Sequence, residues 1–196
     1  MTESESVTVL IVDDDESVVQ LFRRWLEDDY DVVTALDGTE ALEVLEREPV
    51  DIVLLDRRMP GISGDDVLET ITGQEMDCQV AMVTAVEPDL DIVRMGFDDY
   101  VVKPPTREGI HRTIANLLAR RDQSEVLQEY WSLLSKRGVL LEESTESELS
   151  DSDEFAELEE RIASLRDKLE DEKHRMGEDV EFLTALRNIE DEARIE

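Results

Sequence analysis

One cysteine, two histidines and few aromatic residues leave several chemistries without material. Cys78 is the only thiol among 196 residues, so no disulfide can close within the chain and no cysteine-rich metal site exists. His111 and His174 are too far apart in sequence to suggest a histidine metal centre. Positive charge is scarce as well: 20 Lys and Arg face 52 Asp and Glu, a formal net charge of −32. That balance disfavours contact with phosphate-rich surfaces, so DNA is not indicated as a partner by charge. Long apolar runs are missing: none approaches the ~20 residues needed to span a bilayer. Met1 to Ser6 is short, acidic and polar, without the cationic flank and apolar core of a secretory leader. These absences lead to the expectation of a soluble, cytoplasmic protein with no membrane partner and a flexible N-terminus over residues 1–6.

A charge this negative is a common sign of disorder. Here 40% of the residues are hydrophobic, and they cluster in clean runs. Adaptation to molar salt accounts for the acidity better, because the Debye length there falls to ~3 Å and self-repulsion is screened.

Five apolar runs alternate with helical patterns. Val7–Val12 empties into Asp13-Asp14-Asp15-Glu16, and Val18, Val19, Phe22, Trp25 and Leu26 follow at helical spacing. Tyr30–Ala35 is a second strand, and a helix through Ala41, Leu42 and Leu45 closes at Pro49. Within Asp51-Ile52-Val53-Leu54-Leu55-Asp56 the four apolar residues are the third strand, with no polar interruption, as in the middle of a parallel sheet. Met59-Pro60-Gly61 stops it with turn chemistry. Val67, Leu68 and Ile71 mark a third helix, and Val80–Val83 a fourth strand ending at Thr84-Ala85. Pro88 suits the first turn of a short helix through Met95, with Gly96 at its exit. Tyr100–Val102 is the fifth strand, ending at Lys103-Pro104-Pro105, and Thr106 caps a last helix through Leu118. Five strand–helix units in alternation predict an α/β fold: a five-stranded, parallel, doubly wound sheet with helices on both faces.

Such a sheet gathers the carboxyl ends of its strands at one rim, where ligands bind. Asp13, Asp14, Asp56, Thr84 and Lys103 all fall there. Taken alone, Asp56 could simply close an Asx-turn, and Lys103 could simply neutralise an acid. One helix cap needs one carboxylate, however, and a cluster of them suggests a cation. Mg²⁺ suits one or two carboxylates, a carbonyl oxygen and several waters. With a lysine and a hydroxyl alongside, the set could stabilise a phosphoryl group in transfer, and aspartate is a known covalent acceptor.

Ile11-Val12-Asp13-Asp14-Asp15, Leu54-Leu55-Asp56-Arg57-Arg58-Met59-Pro60-Gly61, Val83-Thr84-Ala85 and Asp99-Tyr100-Val101-Val102-Lys103-Pro104 stand in order on successive strands. In these residues the segment 7–121 resembles the receiver domain of two-component response regulators, a flavodoxin-like fold. The resemblance implies that Asp56 accepts a phosphoryl group from a sensor histidine kinase. It implies Mg²⁺ held by Asp14, Asp56 and the Arg58 backbone carbonyl, with Asp13 acting through water. It further implies Thr84 and Tyr100 as a switch pair, Lys103 as a phosphoryl ligand, and a cis peptide at Lys103–Pro104. Two positions are less standard: Arg58 puts a cation beside the site, and Val86 puts a branched apolar group where attacking water would pass.

Strand patterns stop after Asp122. Val126, Leu127, Tyr130, Trp131, Leu134 and Leu141 predict one helix, Ser144–Ser152 a hinge, and Phe155, Leu158, Ile162, Leu165, Leu169, Met176 and Leu183 another, interrupted near Gly177. A helix hairpin and a short dimeric coiled coil both fit this pattern, and homodimers through the tail or the receiver face are both compatible with it. No basic recognition helix is present. In Leu127–Arg137 and Phe155–Arg161 the tail, residues 122–196, resembles the HalX domain, an all-helical module attached to receivers in salt-loving archaea. The expected function is therefore a phosphorylation switch controlling a helical output in transcriptional or other regulation. Direct DNA binding by the tail is one alternative. A Mg²⁺-dependent aspartyl-phosphate phosphohydrolase is another, disfavoured because Arg58 stands where such enzymes carry a second acid.

Overall fold

The computed structural model describes residues 6–121 and 123–176. The flexible start expected over residues 1–6 lies outside them up to position 5, as do the break expected near Gly177 and the seam position Leu183. Five strands form one sheet: β1 (Thr8–Val12), β2 (Asp31–Ala35), β3 (Ile52–Leu55), β4 (Gln79–Thr84) and β5 (Asp99–Val102). They lie in the order β2-β1-β3-β4-β5, and every neighbouring pair is parallel. The crossovers carry α1 (Glu16–Leu26), α2 (Gly38–Arg47), α3 (Gly64–Gly73) and a 3-10 segment (Leu90–Arg94), and α4 (Arg107–Arg121) follows β5.

The uninterrupted apolar runs have a simple cause: alternate residues of each strand feed two cores. Val9, Ile11, Ile52, Leu54, Ala81 and Val83 pack with Val19, Phe22 and Leu26 of α1 and with Ile110, Ile114 and Leu117 of α4. Leu10, Val12, Val53, Leu55, Val80 and Met82 point the other way, toward Ala41 and Val44 of α2 and Val67, Leu68 and Ile71 of α3. Each Val, Leu, Ile, Phe or Met among them contributes ~1.5–3 kcal/mol by leaving water. Helix starts are set by polar caps. Asp15 accepts from the Ser17 N–H at 2.8 Å, Asp37 from Glu40 at 2.9 Å, and Ser63 with Asp66 forms a reciprocal capping box. The Thr106 hydroxyl accepts from the Gly109 N–H at 3.0 Å, the cap expected from sequence.

The helix expected from Pro88 to Met95 is shorter and tighter than the pattern suggested. It is a 3-10 turn of five residues beginning at Leu90 behind an Asp89 cap, and only Ile92 in it is fully buried. Met95 is already extended, because the chain must then pass close to α3: a Cβ on Gly96 would lie 2.7 Å from the Thr72 hydroxyl.

The tail comprises α5 (Glu125–Glu143), α6 (Glu146–Ser150) and α7 (Asp153–Met176). The expected hinge holds α6, a single capped turn in which Thr145 and Glu148 form a second capping box. Helices α5 and α7 pair as an antiparallel hairpin. Arg137 meets Glu159 at 2.5 Å, and Arg161 grips both oxygens of Glu129 at 2.8 and 2.9 Å. Between them Leu127, Tyr130 and Leu140 are buried with Leu158, Ile162, Leu165 and Leu169. This core is continuous with the α2–α3 side of the sheet, so the tail is packed onto the sheet domain.

Helix α5 makes that contact with one face. The Ser132 hydroxyl donates to the Phe97 carbonyl at 2.7 Å, and the Ser135 hydroxyl to Asp99 at 2.6 Å. The Lys136 ammonium donates to the Met95 carbonyl at 2.5 Å and lies 5.0 Å from the centre of the Phe97 ring. Positions 132, 135 and 136 share a helix face by their spacing. Lys136 is 4% exposed. Burial lowers its pKa to about 8, although Asp98 and Glu129 work in the opposite direction.

Candidate functional site

The strand order reverses between β1 and β3, and Asp56 sits there, one residue past β3 and buried. Its N–H donates to the Val12 carbonyl at 2.8 Å, which fixes the residue beside the end of β1. Its two carboxylate oxygens have different duties. One accepts from the Arg58 N–H at 3.1 Å, closing an Asx-turn, and the other accepts from the Lys103 ammonium at 3.0 Å. The Asx-turn and the bond from Lys103 thus use different atoms of the Asp56 carboxylate.

Lys103 also donates to Asp13 at 2.5 Å, so one ammonium bridges the ends of β1 and β3 from beyond β5. It is aimed by its own N–H, which donates to the Thr84 carbonyl at 2.9 Å, and the peptide to Pro104 is cis. The second Asp13 oxygen accepts from the Asp15 N–H at 3.0 Å. Burial raises the Asp13 pKa, against the bond from Lys103. Burial likewise disfavours the charged Lys103, but Asp13 and Asp56 outweigh it and raise its pKa above the ordinary lysine value.

Thr84, at the end of β4, has no solvent exposure, and its hydroxyl accepts from the Val86 N–H at 3.2 Å. The carbonyl of the same Val86 accepts from the Tyr100 hydroxyl at 2.7 Å. The Tyr100 ring is turned inward, 5% exposed, with its centre 5.5 Å from that of Phe97. Val86 therefore joins Thr84 to Tyr100 through its backbone. Burial raises the phenol pKa of Tyr100, and the nearby Arg57 guanidinium opposes this.

Asp14 is not drawn into the lysine network. Its side chain is exposed, and it faces a cavity of about 670 Å³ that Asp13, Asp56, Arg58, Thr84 and Lys103 also line. Among the described residues, no three acidic or histidine side chains are already closed into a cage. The donor set nevertheless fits Mg²⁺: the oxygens are hard, the cavity is roomy, and this ion keeps most of its water and needs few protein ligands. Arg58 is exposed and lines the same cavity, and Val86 borders it beside Thr84.

Two residues at the site were not singled out from sequence. Gly64, the first residue of α3, gives its N–H to the Arg57 carbonyl at 3.0 Å. A Cβ there would lie 2.1 Å from the Asp56 backbone oxygen, so only glycine permits α3 to start against the Asp56 backbone. Its signal was the glycine directly before the acidic first turn. Arg57 points away from the cavity of Asp56 and pairs with Asp65 at 3.0 Å and with Asp91. Burial works against its charge, yet these two acids hold it firmly protonated. Nothing local in sequence marks that pairing.

An open parallel sheet of this order, with a buried aspartate, a lysine and a buried threonine at the carboxyl ends of β3, β5 and β4, is the architecture of a receiver domain. The chain belongs to the response regulator receiver family: residues 9–115 match the response regulator receiver domain, and residues 119–186 match the HalX domain. A Haloferax volcanii protein with the provisional name "transcriptional regulator" is 45% identical over 159 residues, 81% of this chain and 27% of that protein. The alkaline phosphatase synthesis transcriptional regulatory protein PhoP of Bacillus subtilis is 36% identical over 118 residues, 58% of this chain and 49% of that protein. The chain thus spans about half or less of the length of these curated relatives. A response regulator protein of Thermotoga maritima, solved in complex with Mg²⁺ and BeF, is 32% identical, with a TM-score of 0.52 over 57% of this chain and 98% of that one. Family membership implies a phosphodonor as partner. Among the described residues no helix is long and apolar enough to cross a membrane.

Proposed function

We propose that the chain is a cytoplasmic two-component switch in which Asp56 accepts a phosphoryl group from a sensor histidine kinase, and the receiver face then alters the helical tail. The supporting observation is the bridge from Lys103 to Asp56 and Asp13, which concentrates one ammonium and two buried carboxylates at the strand-order reversal. The receiver would span residues 7–121 and the output module 122–196.

The Asp56 oxygen now bonded to Lys103 is the natural nucleophile, because the other is committed to the Arg58 N–H. Attack on phosphorus forms the acyl phosphate O–P bond as the P–N bond to the donor histidine breaks, and the leaving imidazole takes up a proton. Lys103 can then follow the negative charge from the carboxylate to a phosphoryl oxygen. Asp14, Asp56 and the Arg58 carbonyl would hold Mg²⁺, with Asp13 acting through water. The ion, when bound, offsets the charge that collects on the phosphoryl oxygens. Thr84 can bond a phosphoryl oxygen by turning its hydroxyl away from the Val86 N–H, which loosens the Val86–Tyr100 link in turn.

For the output, a protein-facing role of the helical hairpin is favoured over direct DNA contact, given the net charge of −32. A role in transcriptional regulation is supported by the names of the two curated relatives. Acetyl phosphate with Mg²⁺ in molar KCl should label the protein with one acid-stable, hydroxylamine-labile phosphoryl group, and Asp56→Asn should abolish it. Equal labelling of the Asn variant would refute the assignment.

A further inference from the structure

Arg57 follows the phospho-acceptor directly, yet its side chain leaves the site. Its side chain is 11% exposed, and the guanidinium holds two acids on different elements: Asp65 in the first turn of α3, by Nε at 3.0 and 3.2 Å, and Asp91 in the 3-10 segment, by Nη2. Two carboxylates from separate elements on one planar fork make a geometric tie that a flexible ammonium would not reproduce. The Arg57 backbone is fixed too, because its carbonyl receives the Gly64 N–H that starts α3.

The far end of the same segment is where the tail docks. Residues 95, 97 and 99 receive Lys136, Ser132 and Ser135 of α5. Arg94 lies 4.0 Å from Glu157 of α7, an exposed pair of little strength. Residues 90–99 are thus held from one side by the residue beside Asp56 and from the other by the output helix. In the 3-10 turn between them only Ile92 is fully buried, while Leu90 and Val93 pack part-exposed against the same core that receives the tail.

We propose that Arg57 is a positioning residue for signal output: through Asp91 it ties the loop that begins at Asp56 to the 90–99 segment on which α5 is seated. A change of charge or backbone at Asp56 reaches α5 along this tie, beside the Thr84–Val86–Tyr100 bonds, because the Arg57 guanidinium also acts on the Tyr100 hydroxyl. The inference rests on the reading of Asp56 as phosphoryl acceptor.

The two tryptophans permit a direct test. Trp131 lies on α5, 8% exposed, with the Arg120 guanidinium 4.3 Å from its ring centre, whereas Trp25 is on α1. In the full chain carrying Trp25→Phe, emission then reports α5 alone. Mg²⁺ with beryllofluoride in molar KCl supplies the phosphoryl mimic, and ¹⁹F NMR measures its binding independently of emission. The parent should bind the mimic and shift Trp131 emission. Adding Arg57→Gln, or separately Asp91→Asn, should leave mimic binding intact and remove most of the emission change. Arg57→Lys should fail to restore it. An undiminished emission change in both Arg57→Gln and Asp91→Asn, with the mimic bound, overturns the proposal. So does a parent that binds the mimic with no change at Trp131. A parent that binds no beryllofluoride, while Asp56→Asn is equally silent, refutes the reading of Asp56 and the present proposal with it. Asp91→Asn covers the case in which Arg57→Gln fails to fold.

Discussion

Replacing Lys136 by methionine should change the pH dependence of stability by an amount that the structure fixes in advance. The ammonium is 4% exposed and its pKa falls from 10.5 to about 8, burial being the main cause. A lysine with a depressed folded pKa penalises folding below that pKa, where both states carry the charge. Stability is then recovered as pH rises from about 8 toward the unfolded value. A shift of this size corresponds to a penalty on the order of 3 kcal/mol at pH 7, falling to ~1.4 kcal/mol at pH 9.5. Methionine removes the penalty, but it also removes the bond to the Met95 carbonyl and the contact with Phe97, together ~1–3 kcal/mol. At pH 7 the variant should therefore match or modestly exceed the parent. Between pH 7 and 9.5 the parent should gain ~2 kcal/mol relative to the variant. Other groups cancel in that comparison, including Cys78, whose pKa burial raises to about 11, so that its effect lowers stability only toward the top of this window and above it. Guanidinium unfolding in molar KCl, followed by tryptophan emission at both pH values, measures the difference. A parent-to-variant gap that does not change with pH would refute the view that α5 buries a charged amine against residues 95–99.

Two further outcomes follow from the rim itself. Gly64→Ala would place a methyl group 2.1 Å from the Asp56 backbone oxygen, so the loop must move. It should cost ~1–3 kcal/mol in chemical denaturation and slow labelling by acetyl phosphate more than ten-fold, since misplacements near 1 Å cost ~100-fold; labelling at the parent rate would show that Gly64 does not set the site. Val86 borders the cavity with an apolar group, and Val86→Glu should shorten the lifetime of the phosphorylated protein several-fold by admitting and orienting water, a decay followed by loss of label. Equal lifetimes would remove Val86 from the account.

The five strands and the residue types that end them were readable because both depend on local text. An unbroken Ile52–Leu55 run demands burial on two faces, and the two cores on either side of the sheet supply it. Asp15 and Thr106 cap the helices they precede, as their residue types require. The 3-10 turn was less legible, because its length is set by the approach of Gly96 to Thr72, a contact across the fold. The Arg57 pairing was invisible for the same reason: its acids lie 8 and 34 residues away. Nothing local marks Lys136 as buried: in sequence it stands only within the stretch Leu127–Arg137. Only the packing of α5 on β5 turns it inward, where its one recorded bond is to a backbone carbonyl.

Among the described residues β5 ends the sheet, with β4 on one side and no strand on the other. An uncovered terminal strand invites pairing with another chain, and α5 lies against this one. Lifting α5 would bare both the strand and the apolar stripe that had rested near it, leaving a state that is comfortable only with a replacement in place.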